Sequence, residues 1–308
     1  MSFSRRGFIK VAVGGATGAA LWSASATDSW ASESAKLEAM SLGDGIALLT
    51  GGGGNVVTLS GPDGLLLIDG GNRAQSAALL KLALKQANAK RVHTLFNTHW
   101  HPDQTGSNER VAASGTQIIA HENTKLWLGR KINVDWLPQG YGPLPKKALP
   151  NKSFYTTDSL SFGNEQLTYG HLGQAHTDGD LYVYFKNANL LAAGGVVSAE
   201  GWPVLDWQTG GWIGGLVGAY DRLLKVANDT TRIVPANGPV ISRKELQAQR
   251  EMYMTIFDRC VKLLVKGQGP DEVVAAQPAK EYEAQWGDSK VFVNAAFKSL
   301  WGHYAPDA

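Results

Sequence analysis

The sequence predicts a mixed α/β (α+β) domain, a four-layer αββα sandwich with two sheets packed face to face and helices outside both. Three observations predict it. Short apolar runs separated by glycine, proline and aspartate turns give way to helical periodicity, and this order occurs twice along the chain. Sheets that each carry helices on one side bury their other sides against one another. The length of 308 residues, with 44% hydrophobic and 18% charged residues, suits one large domain or two smaller ones rather than a disordered chain.

The N-terminus stands apart from that pattern. Ser4-Arg5-Arg6-Gly7-Phe8-Ile9-Lys10 is a twin-arginine export signature, followed by a small, apolar run over 11–22. That run falls short of the roughly 20 residues a membrane span requires. Ala24-Ser25-Ala26 and Ser29-Trp30-Ala31 are alternative small-x-small cleavage sites. Residues 1–31 are therefore expected to be an export signal and lead-in, read by the twin-arginine export machinery. The mature chain is expected to be periplasmic or exported, with no stable membrane span. The folded domain is expected over 36–308.

Within that domain, strands are expected at 46–49, 55–59 and 65–69, separated by Gly51 to Gly54 and by Gly61-Pro62-Asp63-Gly64. No helix follows the glycine run, so it is not read as a phosphate loop. A helix over 74–86 leads to a buried strand over 91–96. After a polar stretch come a helical pattern that Thr105 or Ser107 is placed to cap, a strand at 116–120 and a helix at 121–129. Residues 130–150 hold four prolines and read as a long loop. The second half starts over with strands at 158–162, 166–171, 181–185 and 190–193. A helix at 212–227 and a strand at 232–235 follow. Residues 242–308 read as helical, with breaks near Gly267 to Pro270 and at Trp286-Gly287.

The polar stretch is Asn97-Thr98-His99-Trp100-His101-Pro102-Asp103-Gln104-Thr105-Gly106. In extended chain, residues two apart point the same way, which would bring His99, His101 and Asp103 together. Two imidazoles and a carboxylate suit a borderline-soft divalent metal. A net charge of +2, with no basic block beyond the N-terminus, gives no surface for nucleic acid. The single cysteine, Cys260, excludes an intramolecular disulfide and is expected in the core.

Three further turns share the logic of that stretch: Ala175-His176-Thr177-Asp178-Gly179-Asp180, Ala193-Gly194-Gly195 and Pro235-Ala236-Asn237-Gly238. With Ile68-Asp69-Gly70-Gly71, and in this order, they resemble the metallo-β-lactamase-fold hydrolases over almost the whole chain after residue 40. The resemblance implies a metallo-β-lactamase-like sandwich and a first metal position held by His99, His101 and His176. It also implies a second position, for which Asp103 is present. At the other three second-metal positions this chain carries Gln104, Gly195 and Asn237 in place of histidine, aspartate and histidine.

Two adjacent divalent ions need anionic ligands to offset their repulsion, and one aspartate with two amides does not supply them. The expectation is one zinc on three histidines, with the second site absent. Such a zinc acidifies bound water to a pKa of about 7, so that hydroxide attacks an ester, thioester, lactam or sulfate ester. Asp103 would orient that water or take its proton, and Gln104 and Asn237 would donate to a developing oxyanion. Asp69 would fix a ligand histidine or the central loop, or cap its turn. Asp178 and Asp180 would brace the turn around His176. Glu200 is a replacement carboxylate in principle, although a solvated loop residue by position. His93, His121, His171 and His303 lack convergent partners. Trp202, Trp207 and Trp212, with Trp136 and Tyr141, would either wall a pocket for an apolar or aromatic small-molecule substrate or cap the core. The alternative to an enzyme is a non-catalytic periplasmic binding or accessory protein that keeps the fold with an incomplete metal site.

Overall fold

The computed structural model describes residues 36–304, within one compact unit, Ser34–Ala308. The expected export signal lies outside the described residues. Among those residues no helix is long and apolar enough to cross a membrane. The first half runs β1 (Glu38–Gly43), β2 (Ile46–Thr50), β3 (Val56–Gly61), β4 (Gly64–Ile68), α1 (Ser76–Gln86), β5 (Val92–Phe96), α2 (Pro102–Thr105), α3 (Asn108–Ala112), β6 (Gln117–His121), α4 (Glu122–Leu128), β7 (Ile132–Val134), β8 (Leu137–Tyr141) and β9 (Lys152–Phe154). The second runs β10 (Thr157–Phe162), β11 (Glu165–His171), β12 (Leu181–Phe185), β13 (Leu190–Ala192), α5 (Ile213–Val226), β14 (Arg232–Val234), α6 (Arg243–Val265), α7 (Pro270–Ala275), α8 (Glu283–Trp286) and α9 (Lys290–Tyr304).

Seven strands form one sheet in the order β1-β2-β3-β4-β5-β6-β9, and five form another, β10-β11-β12-β13-β14. Each begins as an antiparallel meander and ends parallel, from β4 to β9 in the first and at β13–β14 in the second. Strand alternation sorts the side chains into layers. Leu66 and Ile68 of β4 join Tyr169, Val183 and Phe185 of the facing sheet in the central core. Leu65 and Leu67 point the other way, onto Leu79 and Ala83 of α1. Leu191 and Ile233 face outward onto α5, α6 and α9, among Leu216, Tyr220, Tyr253 and Phe297. Helix, sheet, sheet and helix are thus the four layers read from the sequence.

The departures are local. Residues 130–150 are not a plain loop: β7 and β8 form a hairpin over a satellite core of Trp100, Leu128, Ile132, Val134 and Leu137. Proline and glycine signals masked these strands. The edge strands β1 and β9 also escaped notice, β1 because its residues are largely exposed and do not alternate cleanly between apolar and polar. Neither Thr105 nor Ser107 caps a helix with its side chain. Thr105 donates back to the His101 carbonyl at 3.0 Å, and Ser107 donates to the Gly70 carbonyl. Helix α6 begins with a capping box between Ser242 and Glu245.

Candidate metal centre

The parallel part of each sheet places the chemistry. Loops leaving the C-terminal ends of neighbouring parallel strands meet at one edge, where open α/β sheets hold their ligands. Asp69 follows β4, the His99–His101 stretch follows β5, Gly195 follows β13 and Asn237 follows β14. His176 arrives from the turn between β11 and β12. The halves are tied there by a hydrogen bond from the Leu181 N–H to the Thr98 carbonyl, 2.9 Å.

His99, His101 and His176 each offer a ligand nitrogen within 4.8 Å of the others, and all three are buried. Asp103 is not part of that group. The stretch is not extended through Asp103, as its spacing suggested, because Pro102 at the first helical position starts α2 and turns the carboxylate aside. Gly195 lies against the cluster, and a Cβ there would stand 2.7 Å from His176 Cε1 and 2.8 Å from His99 Cε1.

Each imidazole has a polar group at its outer edge. Asp69, at φ +64°, accepts the Thr98 N–H at 2.8 Å and the Thr98 hydroxyl at 2.7 Å, and that hydroxyl lies 3.0 Å from His99 Nδ1. Of the roles considered for Asp69, this geometry gives it the fixing of the central loop and, through the Thr98 hydroxyl, the orienting of His99. Asp206 Oδ2 stands 3.3 Å from His101 Nε2, and Asp180 Oδ1 stands 3.5 Å from His176 Nδ1. Carboxylates behind ligating histidines fix ring orientation and raise basicity. Asp206 was not singled out from the sequence, since it lies in an irregular loop with no motif spacing around it. It also accepts the Thr209 hydroxyl, which takes the Trp100 indole N–H at 3.1 Å, and has Trp136 as a further hydrogen-bonding partner. Asp180 braces its turn as expected, accepting the Thr177 N–H at 2.6 Å. Asp178 differs: its side chain accepts the Trp127 indole at 2.8 Å.

The electrostatics fit a cation. Burial, then mutual repulsion, holds the His99 and His101 acids well below their ordinary 6.5, leaving neutral imidazoles with lone pairs to give. Burial pushes Asp69 up to about 8 and Asp103 up to about 6, and raises Asp206. Asp103 Oδ1 and Gln104 Oε1 are buried without hydrogen-bond partners among the described residues. Buried carboxylates and orphaned acceptors around three clustered histidines fit a divalent ion of the kind imidazole binds.

Of the expected oxyanion donors, Gln104 gives its Nε2 to Asp103 Oδ2 at 2.8 Å. Asn237 is half-buried in the turn after β14, its carbonyl accepting the Ala199 N–H at 2.8 Å. The Asn55 side chain clamps that turn by donating to the Pro235 and Gly238 carbonyls at 2.9 and 2.8 Å. Glu200 is exposed. The aromatics divide between the two roles left open for them. Trp202 stacks on Phe292, Trp212 stacks on His303, and Trp207 lies under Lys298. Trp136 does reach the centre, 4.6 Å from the His101 ring, with Tyr141 stacked on Trp100.

The superfamily profile described as "Metallo-beta-lactamase superfamily" matches residues 49–239, more than half of the chain and all the loops above. The chain belongs to the metallo-beta-lactamase superfamily. Among superfamily structures it is similar to a metallo-beta-lactamase from Pontibacter korlensis, with a TM-score of 0.59, 20% identity, and 71% of this chain and 99% of that one covered. It is also similar in fold to the stereoselective inverting sec-alkylsulfatase Pisa1 from Pseudomonas sp., with a TM-score of 0.66, 15% identity, and 88% and 51% covered. In sequence it resembles the 2,4-dinitroanisole O-demethylase subunit alpha of Nocardioides sp. (strain JS1661), at 26% identity over 208 residues. That match spans 67% of this chain and 58% of the demethylase subunit.

Proposed function

We propose that the chain is a metal-dependent hydrolase with one divalent ion, zinc, held by His99, His101 and His176. The observation that carries the reading is the outer partner on each histidine, because a cluster kept only for packing has no need of two carboxylates and a Thr98–Asp69 relay. With Thr98, Asp206 and Asp180 on the outer nitrogens, the opposite nitrogen of each ring is left for the metal. A bound zinc supplies Lewis acidity, polarising a substrate oxygen and making water more acidic.

The chain's own groups divide the remaining work. Asp103 presents Oδ1, its unpartnered oxygen, to orient water and take a proton. Gln104 holds the other carboxylate oxygen in place. Asn237, on a turn clamped by Asn55, is the amide left to donate to charge developing on the substrate. The bond cleaved is read as an ester, thioester, lactam or sulfate ester, and the demethylase relative adds an aryl methyl ether. We further read residues 1–31 as a twin-arginine signal that sends the protein to the periplasm, supported by the Arg5-Arg6 motif.

The test is turnover of 4-nitrophenyl acetate, 4-nitrophenyl sulfate and 2,4-dinitroanisole by zinc-loaded protein and by His101→Ala. Hydrolysis of at least one substrate, lost in the variant, is expected. Absence of any metal-dependent turnover would favour a binding or accessory protein.

A further inference from the structure

We propose that the C-terminal helices build a pocket beside the histidine centre, and that this pocket holds an extended apolar arm of the substrate. A cavity of about 270 Å³ lies between Ala199 and Pro239 on one side and Met252, Tyr282 and Trp286 on the other. At about 30 Å³ per water, it has room for a group several heavy atoms long.

Its position ties it to the centre. Ala199 follows Gly195, which backs His99 and His176, by four residues, or at most about 14 Å of chain. Pro239 closes the turn that carries Asn237, and Asn237 accepts the Ala199 N–H. The opposite wall lies beyond the superfamily match, which ends at residue 239, and is carried by α6, α8 and the turn before α8. Trp286 is held in place by Trp202, 5.6 Å away, whose indole donates to the Gly287 carbonyl.

The lining selects the occupant. Its largest groups are aromatic or apolar, Gln249 and Gln285 add two amides, and among the described residues no lysine or arginine lines it. Glu245 at the rim repels an anion, while one of its carboxylate oxygens is engaged by Ser242. An uncharged hydrocarbon arm fits; a carboxylate or phosphate does not. Naming that arm as part of a substrate rests on the hydrolase reading, whereas the pocket's preference for hydrocarbon does not.

The experiment measures octan-1-ol binding to the zinc-loaded protein by calorimetry, for wild type, Ala248→Trp and Ala248→Ser. Ala248 lines the cavity from an exposed helix position, so tryptophan there fills the space without entering the core. Each buried methylene contributes about fourfold in affinity. Octanol is therefore expected to bind wild type and the serine variant alike, and at least tenfold more weakly to the tryptophan variant. Unchanged zinc content and circular dichroism confirm that the variants fold. Failure of wild type to bind octanol, or equal binding by the tryptophan variant, overturns the pocket. Turnover then separates the two readings: a preference for 4-nitrophenyl octanoate over the acetate, lost in Ala248→Trp, is expected. No ester turnover with octanol binding intact overturns the hydrolase reading and leaves the pocket standing.

Discussion

At the scale of the residue, Asp206 carries the clearest prediction. It is buried, faces His101 Nε2 at 3.3 Å and gathers Thr209 and Trp136 around the same carboxylate. Asp206→Asn preserves the shape and removes the charge that orients the imidazole. Loss of such a partner typically costs ~10–100-fold in metal affinity. Competition with a chromophoric chelator is expected to show that loss, with little change in the melting temperature of the metal-free protein. The histidines of the centre were legible because their spacing and sequence order survive in the chain. Asp206 was not, because a lone aspartate after Trp202-Pro203-Val204-Leu205 has no neighbour to mark it. Pro102, by contrast, was visible and signals a helix start, which is why Asp103 leaves the direction shared by His99 and His101.

A second residue-scale prediction concerns His121 and His171, whose rings stack 3.7 Å apart with only 11° between planes. His121 accepts the Asn123 N–H at Nδ1 and approaches the Tyr155 carbonyl at 3.1 Å through Nε2. Burial, then the neighbouring His171, pushes its acid from the ordinary 6.5 down to about 4. Between those values the unfolded chain binds a proton that the folded chain refuses, so stability rises with pH. The contribution is complete above about pH 6.5 and is lost as pH falls towards 4. Thermal unfolding across that range is expected to show a falling melting temperature, with a shallower fall in His121→Asn.

At the scale of the element, the junction between α2 and α3 is built on close backbone approach. A Cβ on Gly106 would overlap the backbone of Asn72 and Arg73 and lie 2.6 Å from the Gly71 carbonyl oxygen, to which the Gly106 N–H already donates at 2.8 Å. None of those neighbours is a flexible side-chain end. Gly106→Ala is therefore expected to cost about 3 kcal/mol, at the upper end for overpacking, in chemical denaturation. The same loop is locked to α3 by the reciprocal amide pair of Asn97 and Asn108, at 3.0 and 2.8 Å. Strand periodicity made the central strands readable, because their apolar residues serve both faces of a sheet. The β7–β8 hairpin was hidden by Pro138 and Gly140 within its own second strand, where turn chemistry and strand pairing compete.

At the scale of the molecule, two sheets that each end in parallel strands bring four loops and one inter-strand turn to a single edge. That geometry could be anticipated from the order of strands and helices. The packing of the C-terminal helices could not, since Trp202 and Trp212 signal only large apolar surfaces and not which partner covers them. Phe292 and His303 do so. The centre concentrates buried carboxylates and orphaned acceptors around three histidines, so metal binding is expected to stabilise the whole fold. At a zinc concentration 100 times the dissociation constant the gain is about 2.7 kcal/mol, or a rise of about 5 °C in melting temperature. The His101→Ala variant is expected to show no such rise.

The measurement that tests the account most directly is the metal content of the protein, by elemental mass spectrometry, after purification without added metal or affinity tag. About one zinc per chain is expected, retained by the wild type and absent from His101→Ala. Protein that carries no metal, and takes up none on dialysis against zinc, would contradict the account at its centre.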